Sequence, residues 1–366
     1  MKDLTQCRAE LDAIDSQLVA LFEARMRVSR DVALYKHAHH MNILDASRED
    51  AVLQSRAAQA TEDVLRQPTV QLFREIMRLS REEQRRVLDE ISETHTVAYM
   101  GVPGAFSESA VVGFFGEDCP RAHYRTFEDV FAAVADGSAR YGVLPVENSS
   151  SGAITTVYDL LGKYACHIVG EQLVRVEQCL LGVPGATIDG VKTVFSHEQG
   201  FAQCPVFLAG HPDWEQKPYF NTAIAAQHVS EMGDPSCAAI ASRLAAKHYG
   251  LDILAPDIHS NGSNHTRFIV VSASPRPIGV PDKATLTFTV RHERGTLMRA
   301  LSSFTAMGMN LTHIQSRPLP DASWEYRFYV DLCGNVSEES MHLLMSSLTA
   351  DCENCRLLGT YRAARV

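Results

Sequence analysis

No glycine occurs before Gly101, and Pro68 is the only proline in that stretch. A segment of this length without either helix breaker favours long helices over strands and turns. Apolar residues recur along its first part at helical spacing, and they predict one helix that ends near Lys36. The residues of this apolar stripe are Leu4, Leu11, Ile14, Leu18, Leu21, Val28 and Val32.

Two more helices are predicted in the same segment. Asp45 is a favourable N-cap for a second helix that runs to about Val64. Pro68 suits the first turn of a third helix, which runs to about Ile91. Three helices, one of them twice the usual length, do not easily bury their apolar faces within one chain. We therefore expect an intertwined homodimer or a larger homo-oligomer.

Several polar residues share the apolar faces of these helices. Lys36 follows Arg25 by eleven residues, which places both on one face of the first helix. Glu49 lies on the apolar face of the second helix, and Ser80 and Gln84 lie on that of the third. Two interpretations remain open. The charged groups reach solvent or pair with one another, or they line a cation-rich pocket for a polyanion.

The bulk composition excludes several classes of protein. The chain has 366 residues, 45% of them hydrophobic, and a formal net charge of -10. This length allows two or three domains, and the acidic balance argues against a nucleic-acid surface. No apolar run is long enough to span a membrane, and the charged N-terminal segment does not resemble a signal peptide. Nine cysteines at irregular spacing suit a reducing compartment, so we expect a cytoplasmic protein.

Two segments were considered as metal sites. Cys352 and Cys355 form a lone Cys-x-x-Cys pair, and His37, His39 and His40 lie close together in the chain. The two cysteines lack histidine partners at zinc-binding spacing, and neighbouring histidines on one element point in different directions. We therefore expect no metal.

From Thr96 to about Ser272, short apolar runs alternate with helical patterns. Strands are expected near positions 141, 169, 193 and 238, and helices near positions 106, 127, 153, 200, 222 and 241. This alternation predicts an α/β domain with two lobes and a cleft between them. The turn that begins at Gly101 lacks the third glycine of a dinucleotide-binding fingerprint, so NAD is not expected.

Polar side chains cluster where the apolar elements of this region end. The stretch from Pro145 to Gly152 follows a predicted strand and precedes a predicted helix, and three later segments repeat the pattern. Such groups at helix N-termini bind anions, although serine and asparagine are also ordinary helix caps. The sequence therefore predicts a cleft for a small anionic metabolite. Its candidate residues are Glu147, Asn148, Ser149, Ser196, His197, Asn221, Thr222, Thr266 and Arg267.

The last part of the chain has a different pattern. Residues 274–281 are rich in proline and glycine and predict a linker. Between Ala284 and Tyr361 the pattern predicts a strand, a helix, two strands, a helix and a last strand. This βαββαβ order predicts a small α+β domain.

Residues 8–84 resemble the all-helical chorismate mutase domain in the order and spacing of their polar residues. The resemblance implies that Arg25 and Arg48 bind the carboxylates of chorismate. It also implies that Arg8 reaches the site from the partner subunit of a swapped dimer. The motif residues are Arg8, Arg25, Lys36, Asp45, Arg48, Glu49, Ser80 and Gln84.

The same resemblance assigns the remaining residues of the mutase motif. Lys36 and Gln84 would contact the ether oxygen of chorismate, and Glu49 would contact the ring hydroxyl. Asp45 and Ser80 are expected in the same binding site. The rearrangement of chorismate to prephenate is pericyclic. It requires a compact bound conformation and stabilised negative charge rather than a nucleophile.

The region from 96 to 273 resembles prephenate dehydratase. The matching segments are Gly101-x-x-Gly-x-Phe-Ser, Pro145-Val-Glu-Asn-Ser-x-x-Gly, Ser196-His197, Asn221-Thr222-Ala223 and Thr266-Arg267-Phe268. The resemblance implies a two-lobed fold like that of a periplasmic binding protein. It also implies the reaction, in which prephenate loses CO2 and its ring hydroxyl and becomes phenylpyruvate.

Roles within the dehydratase cleft follow from this resemblance. Thr266 is expected to protonate or hydrogen-bond the leaving hydroxyl, and Glu147 to orient the hydroxyl or help expel it. For Arg267, a role as the nearby cation and a structural role both remain open. For His197, a structural role and a catalytic role both remain open. The residues expected to bind the carboxylates are Asn148, Ser149, Ser196, Asn221 and Thr222.

The βαββαβ region resembles the ACT domain, a regulatory module that binds amino acids between paired protomers. In the dehydratase family two motifs there bind phenylalanine. At the first, this chain has Gly295 and Leu297. At the second, it has Gln315, Ser316 and Arg317. Gln315 stands where the family has glutamate, which removes a charge near the expected ammonium group, so the strength of phenylalanine feedback stays open.

The sequence thus predicts a multidomain protein in the order all-α mutase domain (1–92), α/β dehydratase domain (96–273) and α+β ACT domain (284–366). Such a chain would convert chorismate to prephenate and prephenate to phenylpyruvate, without a cofactor. Two alternatives remain. One is a dehydratase whose inactive mutase domain serves as a dimerisation arm, and the other is a non-catalytic amino-acid sensor. A preference for arogenate over prephenate also stays open.

Overall fold

The structure, a computed structural model, describes residues 2–39, 41, 43–91, 96–290, 293–319 and 325–365. His40, part of the histidine run, lies outside the described residues. The chain divides into two compact units. The first is Met1–Thr94 with Asp136–Ser138, and the second is His95–Ala135 with Ala139–Val366.

The first unit is built from three helices, α1 (Leu4–Ala38), α2 (Ala46–Gln59) and α3 (Asp63–Ile91). Asp45 is the N-cap of α2, as predicted, and its side chain accepts a hydrogen bond from the backbone N–H of Arg48 at 3.0 Å. Both α1 and α2 contact α3.

The boundaries around the third helix differ from the prediction. The helix does not start after Pro68, because α3 begins at Asp63 and contains Pro68. Helix α2 ends at Gln59, before the predicted Val64. Near a helix start, proline removes only one backbone hydrogen bond, and the acidic Asp63 in the first turn favours the helix dipole. These contributions let the helix begin one turn earlier.

The apolar stripe of α1 is exposed in the single chain. Its seven predicted members have between 38% and 68% of their surface accessible, with Val32 the least and Leu21 the most exposed. Seven apolar side chains on one helix face form a larger exposed apolar surface than monomeric proteins usually show.

The second unit contains all the β-structure of the described chain. Its strands are β1 (Val97–Met100), β2 (Arg121–Tyr124), β3 (Tyr141–Asn148), β4 (Gly152–Ala153), β5 (His167–Arg175), β6 (Cys179–Gly182), β7 (Thr193–Ser196), β8 (Glu215–Pro218), β9 (Cys237–Ala241), β10 (Asp252–Ala255), β11 (His265–Ser272), β12 (Lys283–Val290), β13 (Asn310–Pro318), β14 (Tyr326–Cys333) and β15 (Glu353–Tyr361). Its helices are α4 (Phe106–Phe115), α5 (Phe127–Asp136), α6 (Thr155–Lys163), α7 (Glu198–Gln203), α8 (Pro205–Ala209), α9 (Thr222–Met232), α10 (Arg243–Tyr249), α11 (Thr296–Ala306) and α12 (Glu338–Leu348).

Three sheets organise these strands. The first lobe has the order β2-β1-β3-β11-β5, with β4 paired to β3, and the second lobe has the order β10-β6-β9-β7-β8. The chain enters the second lobe after β5 and returns to the first through β11. The C-terminal sheet has the order β13-β14-β12-β15 and is antiparallel throughout. The predicted βαββαβ order of elements is therefore present.

The sequence predicts a polar loop from Pro145, but in the structure the first part of this stretch belongs to a strand. Strand β3 continues to Asn148, because β11 pairs with it along this whole length. The following helix starts at Thr155 rather than at position 153. Because the residues up to Asn148 belong to a strand, successive side chains among them point to opposite faces of the sheet.

The C-terminal sheet shares a hydrophobic core with the first lobe. Tyr329, Leu358 and Tyr361 belong to the same buried cluster as Leu144 and Leu161 of the first lobe. At Gly359 the two layers are so close that a Cβ atom would lie 2.0 Å from the backbone oxygen of Ile168. The first lobe and the C-terminal sheet therefore behave as one packed body, and the predicted boundaries at 273 and 284 stay predictions within it.

Among the helices that the structure describes, none is both long and apolar enough to cross a membrane. The nine cysteines form no disulfide bond.

Candidate active sites

A cavity of about 350 Å³ lies between the first and the second lobe. Of the residues predicted for the cleft, five line it. Asn148 and Thr266 come from the first lobe, and His197, Asn221 and Thr222 come from the second. These side chains are far apart in the chain, so the fold brings them together as the sequence predicted.

Thr266 and Asn148 form the polar centre of the first-lobe side. They lie directly opposite each other on β11 and β3, and Asn148 Nδ2 donates to Thr266 Oγ1 at 2.9 Å. The amide of Asn148 is held in turn, because its Oδ1 accepts from the backbone N–H groups of Ser150 and Ser151 at 2.9 and 3.0 Å. Since the Thr266 oxygen accepts from Asn148, its own O–H is available to donate to a ligand.

Helix starts from both lobes face the cavity, α9 in the second lobe and α4 in the first. Asn221 is the N-cap of α9, with its Oδ1 accepting from the backbone N–H of Ile224 at 2.7 Å, and Thr222 is the first residue of that helix. The first turn of α4, at Phe106 and Ser107, faces the same cavity. Two helix N-termini thus direct their partial positive charge into one pocket, an arrangement that favours carboxylate ligands.

His197 caps the short helix α7. Its Nδ1 accepts from the backbone N–H of Gln199 at 3.1 Å. This bond requires an unprotonated Nδ1, so a neutral ring carries its hydrogen on Nε2. The cap geometry supports a structural role for His197. Because His197 also lines the cavity, its Nε2–H remains available as a hydrogen-bond donor.

Among the described residues that line this cavity, none is lysine, arginine, aspartate or glutamate. Arg267 and Glu147, both predicted for the cleft, are therefore not part of this described lining, and the position of Arg267 fits the structural role that the sequence left open. They lie opposite each other on β11 and β3, one position along from Thr266 and Asn148. Side chains of adjacent strand residues point to opposite faces, so the charged pair is directed away from the pocket. There Arg267 Nε lies 3.2 Å from Glu147 Oε2.

Two predicted serines also lie outside the lining. Ser196 is fully buried, and its hydroxyl donates to the backbone oxygen of Ile240 at 2.8 Å. Ser149 Oγ accepts from the backbone N–H of His265 at 3.0 Å and donates to the backbone oxygen of Ser263 at 3.3 Å. Both hydroxyls hold backbone segments together, which accounts for their positions without a ligand.

Sequence reasoning missed several residues of the pocket. Gln178 and Gln203 are hydrogen-bonded to each other, from Nε2 to Oε1 at 2.9 Å. Gln178 is 2% exposed, and its Oε1 has no partner among the described residues. Single glutamines form no sequence pattern, so only the folded arrangement identifies them. The aromatic part of the lining was also missed and consists of Phe106, Phe127, Phe220 and Phe268.

The first unit brings part of its predicted site together. Arg25 of α1 is half-buried and donates to the hydroxyl of Ser80 on α3. Burial, together with the nearby charge of Arg56, lowers the pKa of the Arg25 guanidinium. Gln84, one turn further along α3, is buried, and its Oε1 has no partner among the described residues. A buried amide oxygen without a hydrogen-bond partner is costly unless a ligand or water supplies one.

Glu49 forms an ion pair with Arg81 of α3, a residue that the sequence analysis did not single out. A groove of about 520 Å³ beside α2 and α3 includes both of them. Of the predicted mutase residues, Glu49 is the only one named in the described lining of this groove.

The remaining mutase candidates make local contacts or are exposed in the single chain. Lys36 donates to the backbone oxygen of Ile43, and Asp45 acts as a helix cap. Arg8 and Arg48 are exposed.

The residues predicted for regulation lie at two places of the C-terminal sheet region. Gly295 is the N-cap of α11, with a φ of 81° that favours glycine, and Leu297 lies in the first turn of this helix. Gln315, Ser316 and Arg317 lie on β13, an edge strand that contacts α11. Among the described residues, no group of three or more His, Cys, Asp or Glu side chains is arranged to hold a metal ion.

Comparison with known proteins agrees with this division of sites. Residues 7–85 match the family model of chorismate mutase type II, and residues 97–276 match that of prephenate dehydratase. A bifunctional chorismate mutase/prephenate dehydratase from Aquifex aeolicus (strain VF5) is 30% identical over 371 residues, which cover 100% of this chain and 99% of that protein. The chain belongs to the bifunctional chorismate mutase/prephenate dehydratase family.

Solved structures similar to the chain cover its second unit. A prephenate dehydratase from Arthrobacter aurescens in complex with L-Phe has a TM-score of 0.66 and 30% identity, over 74% of this chain and 90% of its own. A protein described as GqqA, a novel type of quorum quenching acylase, has a TM-score of 0.68 and 32% identity, over 74% of this chain and 98% of its own. As a bifunctional chorismate mutase/prephenate dehydratase, the chain is an enzyme of phenylalanine biosynthesis.

Proposed function

We propose that the cavity between the two lobes is the dehydratase site and that Thr266 donates the hydrogen bond that assists departure of the ring hydroxyl of prephenate. The observation that carries this assignment is the Asn148–Thr266 hydrogen bond of 2.9 Å at the centre of a pocket without charged side chains in its described lining. Asn148 donates to the threonine oxygen, which orients the hydroxyl proton outward and strengthens its donation.

Loss of CO2 from prephenate sends an electron pair through the ring, and the ring becomes aromatic as the C–O bond to the hydroxyl breaks. The hydroxyl must take up a proton to leave as water. A donor positioned at the oxygen stabilises the charge that develops there, and it is most effective where water is excluded. The aromatic lining of the pocket supplies such surroundings.

The helix N-termini are suited to the two carboxylates of the substrate. Asn221 and Thr222 at the start of α9 offer a carboxylate backbone and side-chain donors, and Gln178 and Gln203 add amide groups. Arogenate differs from prephenate by an ammonium group in place of a keto oxygen. Because no acidic side chain occurs in the described lining, the pocket offers no ion-pair partner for that ammonium, which favours prephenate.

For the mutase reaction, we propose a site completed by a second copy of the first unit, so that the enzyme is at least a homodimer. Two observations support this arrangement. The apolar stripe of α1 is exposed along its length, and Arg8 lies near the start of that exposed helix. Arg25, Ser80 and Gln84 of one chain then bind chorismate together with Arg8 of the partner.

The C-terminal sheet region is proposed to be an ACT domain that binds phenylalanine as an effector. Its βαββαβ order and the position of Gly295 at the start of α11, beside β13, support this assignment. The domain boundaries predicted from the sequence and the likeness to periplasmic binding proteins remain predictions. So does a cytoplasmic location, which rests on the cysteine content.

Phenylalanine at millimolar concentration is expected to raise the melting temperature of the full chain, because a ligand that binds only the folded state stabilises it. A thermal shift assay measures this effect. The matched variant Gln315→Glu restores the charge that the dehydratase family has at this position, and we expect it to show the larger shift. Equal absence of a shift in both proteins would contradict phenylalanine binding.

A product assay tests the proposed function as a whole. Purified protein is incubated with chorismate alone, and prephenate and phenylpyruvate are followed by chromatography. We expect prephenate to appear first and phenylpyruvate after a lag. Prephenate that accumulates without phenylpyruvate would contradict the dehydratase assignment. Turnover of supplied prephenate without turnover of chorismate would show that the helical unit is only a dimerisation arm.

A further inference from the structure

The strand that carries Thr266 has two different faces. Thr266 faces the cavity and pairs with Asn148, while Arg267 faces the opposite way and pairs with Glu147. The two cross-strand pairs are adjacent, so any displacement of Arg267 along or across the strand is transmitted to Thr266 through a single peptide unit. The pocket face has no charged side chain in its described lining, whereas the far face is densely charged.

On that far face Arg267 enters a buried charge cluster, made up of Arg267, Glu147, Glu171, Lys283 and Asp331. The shortest contact that Arg267 makes in this cluster is to the C-terminal sheet, where its Nη1 lies 2.7 Å from Asp331 Oδ2 on β14. Lys283 Nζ of β12 lies 2.6 Å from Glu171 Oε2 of β5 and 3.5 Å from Asp331 Oδ2. The cluster therefore connects the C-terminal sheet with the strands of the first lobe.

Four members of this cluster are deeply buried, and the fifth, Glu147, has a side chain that is 37% exposed. The side chains of Asp331 and Glu171 are 3% and 4% exposed, and that of Arg267 is 11% exposed. Burial alone would lower the pKa of Arg267, but Asp331, Tyr158, Tyr361 and Glu171 together outweigh it and raise that pKa, with Asp331 contributing most among them. Burial alone would raise the pKa of Asp331, but the charges of Arg267 and Lys283 hold it below its usual value. Both groups therefore stay charged across the working pH range.

A buried ion pair of this kind is poor evidence for stability, because desolvation offsets most of its attraction. It does impose geometry, since a charged hydrogen bond in a low-dielectric interior tolerates little displacement. Asp331 is itself fixed, because its Oδ1 accepts from the hydroxyl of Thr285 at 2.7 Å. The guanidinium of Arg267 is thus held by a carboxylate that cannot readily move.

The backbone pairing of β11 with β3 is irregular at this position. The pairing of β11 with β3 slips by one residue between Arg267 and Phe268, so that Phe268 lies opposite Pro145 while Arg267 lies opposite Glu147. A bulge of this kind interrupts the backbone ladder and redirects neighbouring side chains. The pairing with β5 is regular at Thr266, Arg267 and Phe268, so the irregularity is confined to the side of β11 that faces β3 and carries the Asn148 and Glu147 contacts.

We propose that Asp331, a residue of the C-terminal sheet, is a positioning residue of the dehydratase reaction that acts by holding Arg267 and thereby the hydroxyl of Thr266. This inference rests on the proposed role of Thr266. It makes the C-terminal sheet part of the dehydratase machinery, because one of its carboxylates determines the geometry of a group in the cleft. A ligand that displaces β14 would change dehydratase turnover without touching the cleft.

The first test is Asp331→Asn in the full-length chain. Asparagine keeps the shape and the acceptor for Thr285 but removes the charge that holds Arg267. We expect the dehydratase kcat to fall about tenfold, with KM changed less than about twofold, because the groups that bind the carboxylates are untouched. Mutase kcat should not change. Steady-state kinetics with prephenate and with chorismate measure both reactions.

The matched control is Asp159→Asn. Asp159 on α6 pairs with Arg317 on β13 at 2.7 Å, so it also joins the first lobe to the C-terminal sheet, but it is not part of the cluster around Arg267. Dehydratase kcat in this variant should equal that of the wild type. An equal fall in both variants would show that dehydratase kcat depends on packing of the C-terminal sheet against the first lobe as a whole. That result would overturn the role of Asp331.

A second variant keeps the inference testable if Asp331→Asn does not fold. Thr285→Val removes the hydroxyl that fixes Asp331 and leaves every charge in place. We expect a smaller fall in kcat, about threefold, again with KM little changed. Wild-type kcat in a folded Thr285→Val protein, judged by an unchanged melting temperature, would contradict positioning through Asp331.

A double-mutant cycle separates positioning from a general structural effect. In a Thr266→Ala background the group to be positioned is absent, so adding Asp331→Asn should leave the residual dehydratase rate unchanged. A further tenfold fall in that background would overturn the inference. If Thr266→Ala itself kept wild-type turnover, the proposed role of Thr266 would fail instead, whatever Asp331→Asn does.

Discussion

Replacement of Thr266 by alanine is expected to lower dehydratase kcat by about a hundredfold or more, the usual contribution of a positioned proton donor. The hydroxyl is lost at the point where Asn148 presents it to the cavity, while the helix N-termini that bind the carboxylates stay in place. We therefore expect KM for prephenate to change little. Mutase turnover in the same protein should be that of the wild type, because its site lies in the other compact unit.

The matched variant is Thr266→Ser, which keeps the hydroxyl and removes only a methyl group. It should retain a large part of dehydratase turnover. The measurement is initial-rate kinetics of phenylpyruvate formation from prephenate, with the melting temperature of each variant as a control for folding. If the alanine and serine variants are equally active, Thr266 is not the donor.

The motif predicts Thr266 in the cleft, but it does not decide whether the side chain of Arg267 faces the cleft or has a structural role. Interpreted as the loop before a strand, this segment predicts that Thr266 and Arg267 both lie near the cleft. Once β11 is known to begin at His265, the two-residue period of a strand excludes that arrangement. For the same reason the side chain of Glu147 lies on the face of the sheet opposite the cavity, because β3 continues through this residue.

Other features had no signal in the sequence. Gln178 and Gln203 meet only because two distant segments fold against each other, and an isolated glutamine carries no pattern. Asp331 looks like an ordinary polar residue in an alternating strand, yet it is 2% exposed, since the C-terminal sheet packs on the first lobe there. By contrast, the helices of the first unit were predicted from breaker-free sequence, and the differences are the end of α2 and the start of α3.

The separation of charged and uncharged faces on β11 has a chemical rationale. A dicarboxylate that must lose CO2 gains little from a strong ion pair on the departing group, because such a pair stabilises the ground state as much as the transition state. Helix N-termini and amide donors bind the dianion more weakly than such an ion pair would. Arg267 and its partners, placed behind the strand, provide rigidity there without trapping the substrate.

Replacement of Arg25 by alanine is expected to lower mutase kcat/KM by about a thousandfold, because it removes a half-buried cation that would hold a substrate carboxylate. The same variant should keep wild-type dehydratase activity. Arg27→Ala is the matched control, since it removes an exposed positive charge from the same helix two residues away. Kinetics with chorismate measure the effect, and equal loss of both activities in Arg25→Ala would contradict two independent units.

A complementation experiment extends this prediction to the swapped dimer. Arg8→Ala should also inactivate the mutase, because Arg8 would complete the site of the partner. In a mixed dimer of the two variants, one site combines the intact Arg8 of one chain with the intact Arg25 of the other. Coexpression should therefore restore about a quarter of the wild-type activity, since half of the dimers are mixed and each has one intact site. If the coexpressed protein stays inactive while each variant remains dimeric, Arg8 acts within its own chain and the exposed stripe of α1 serves dimerisation without sharing the site.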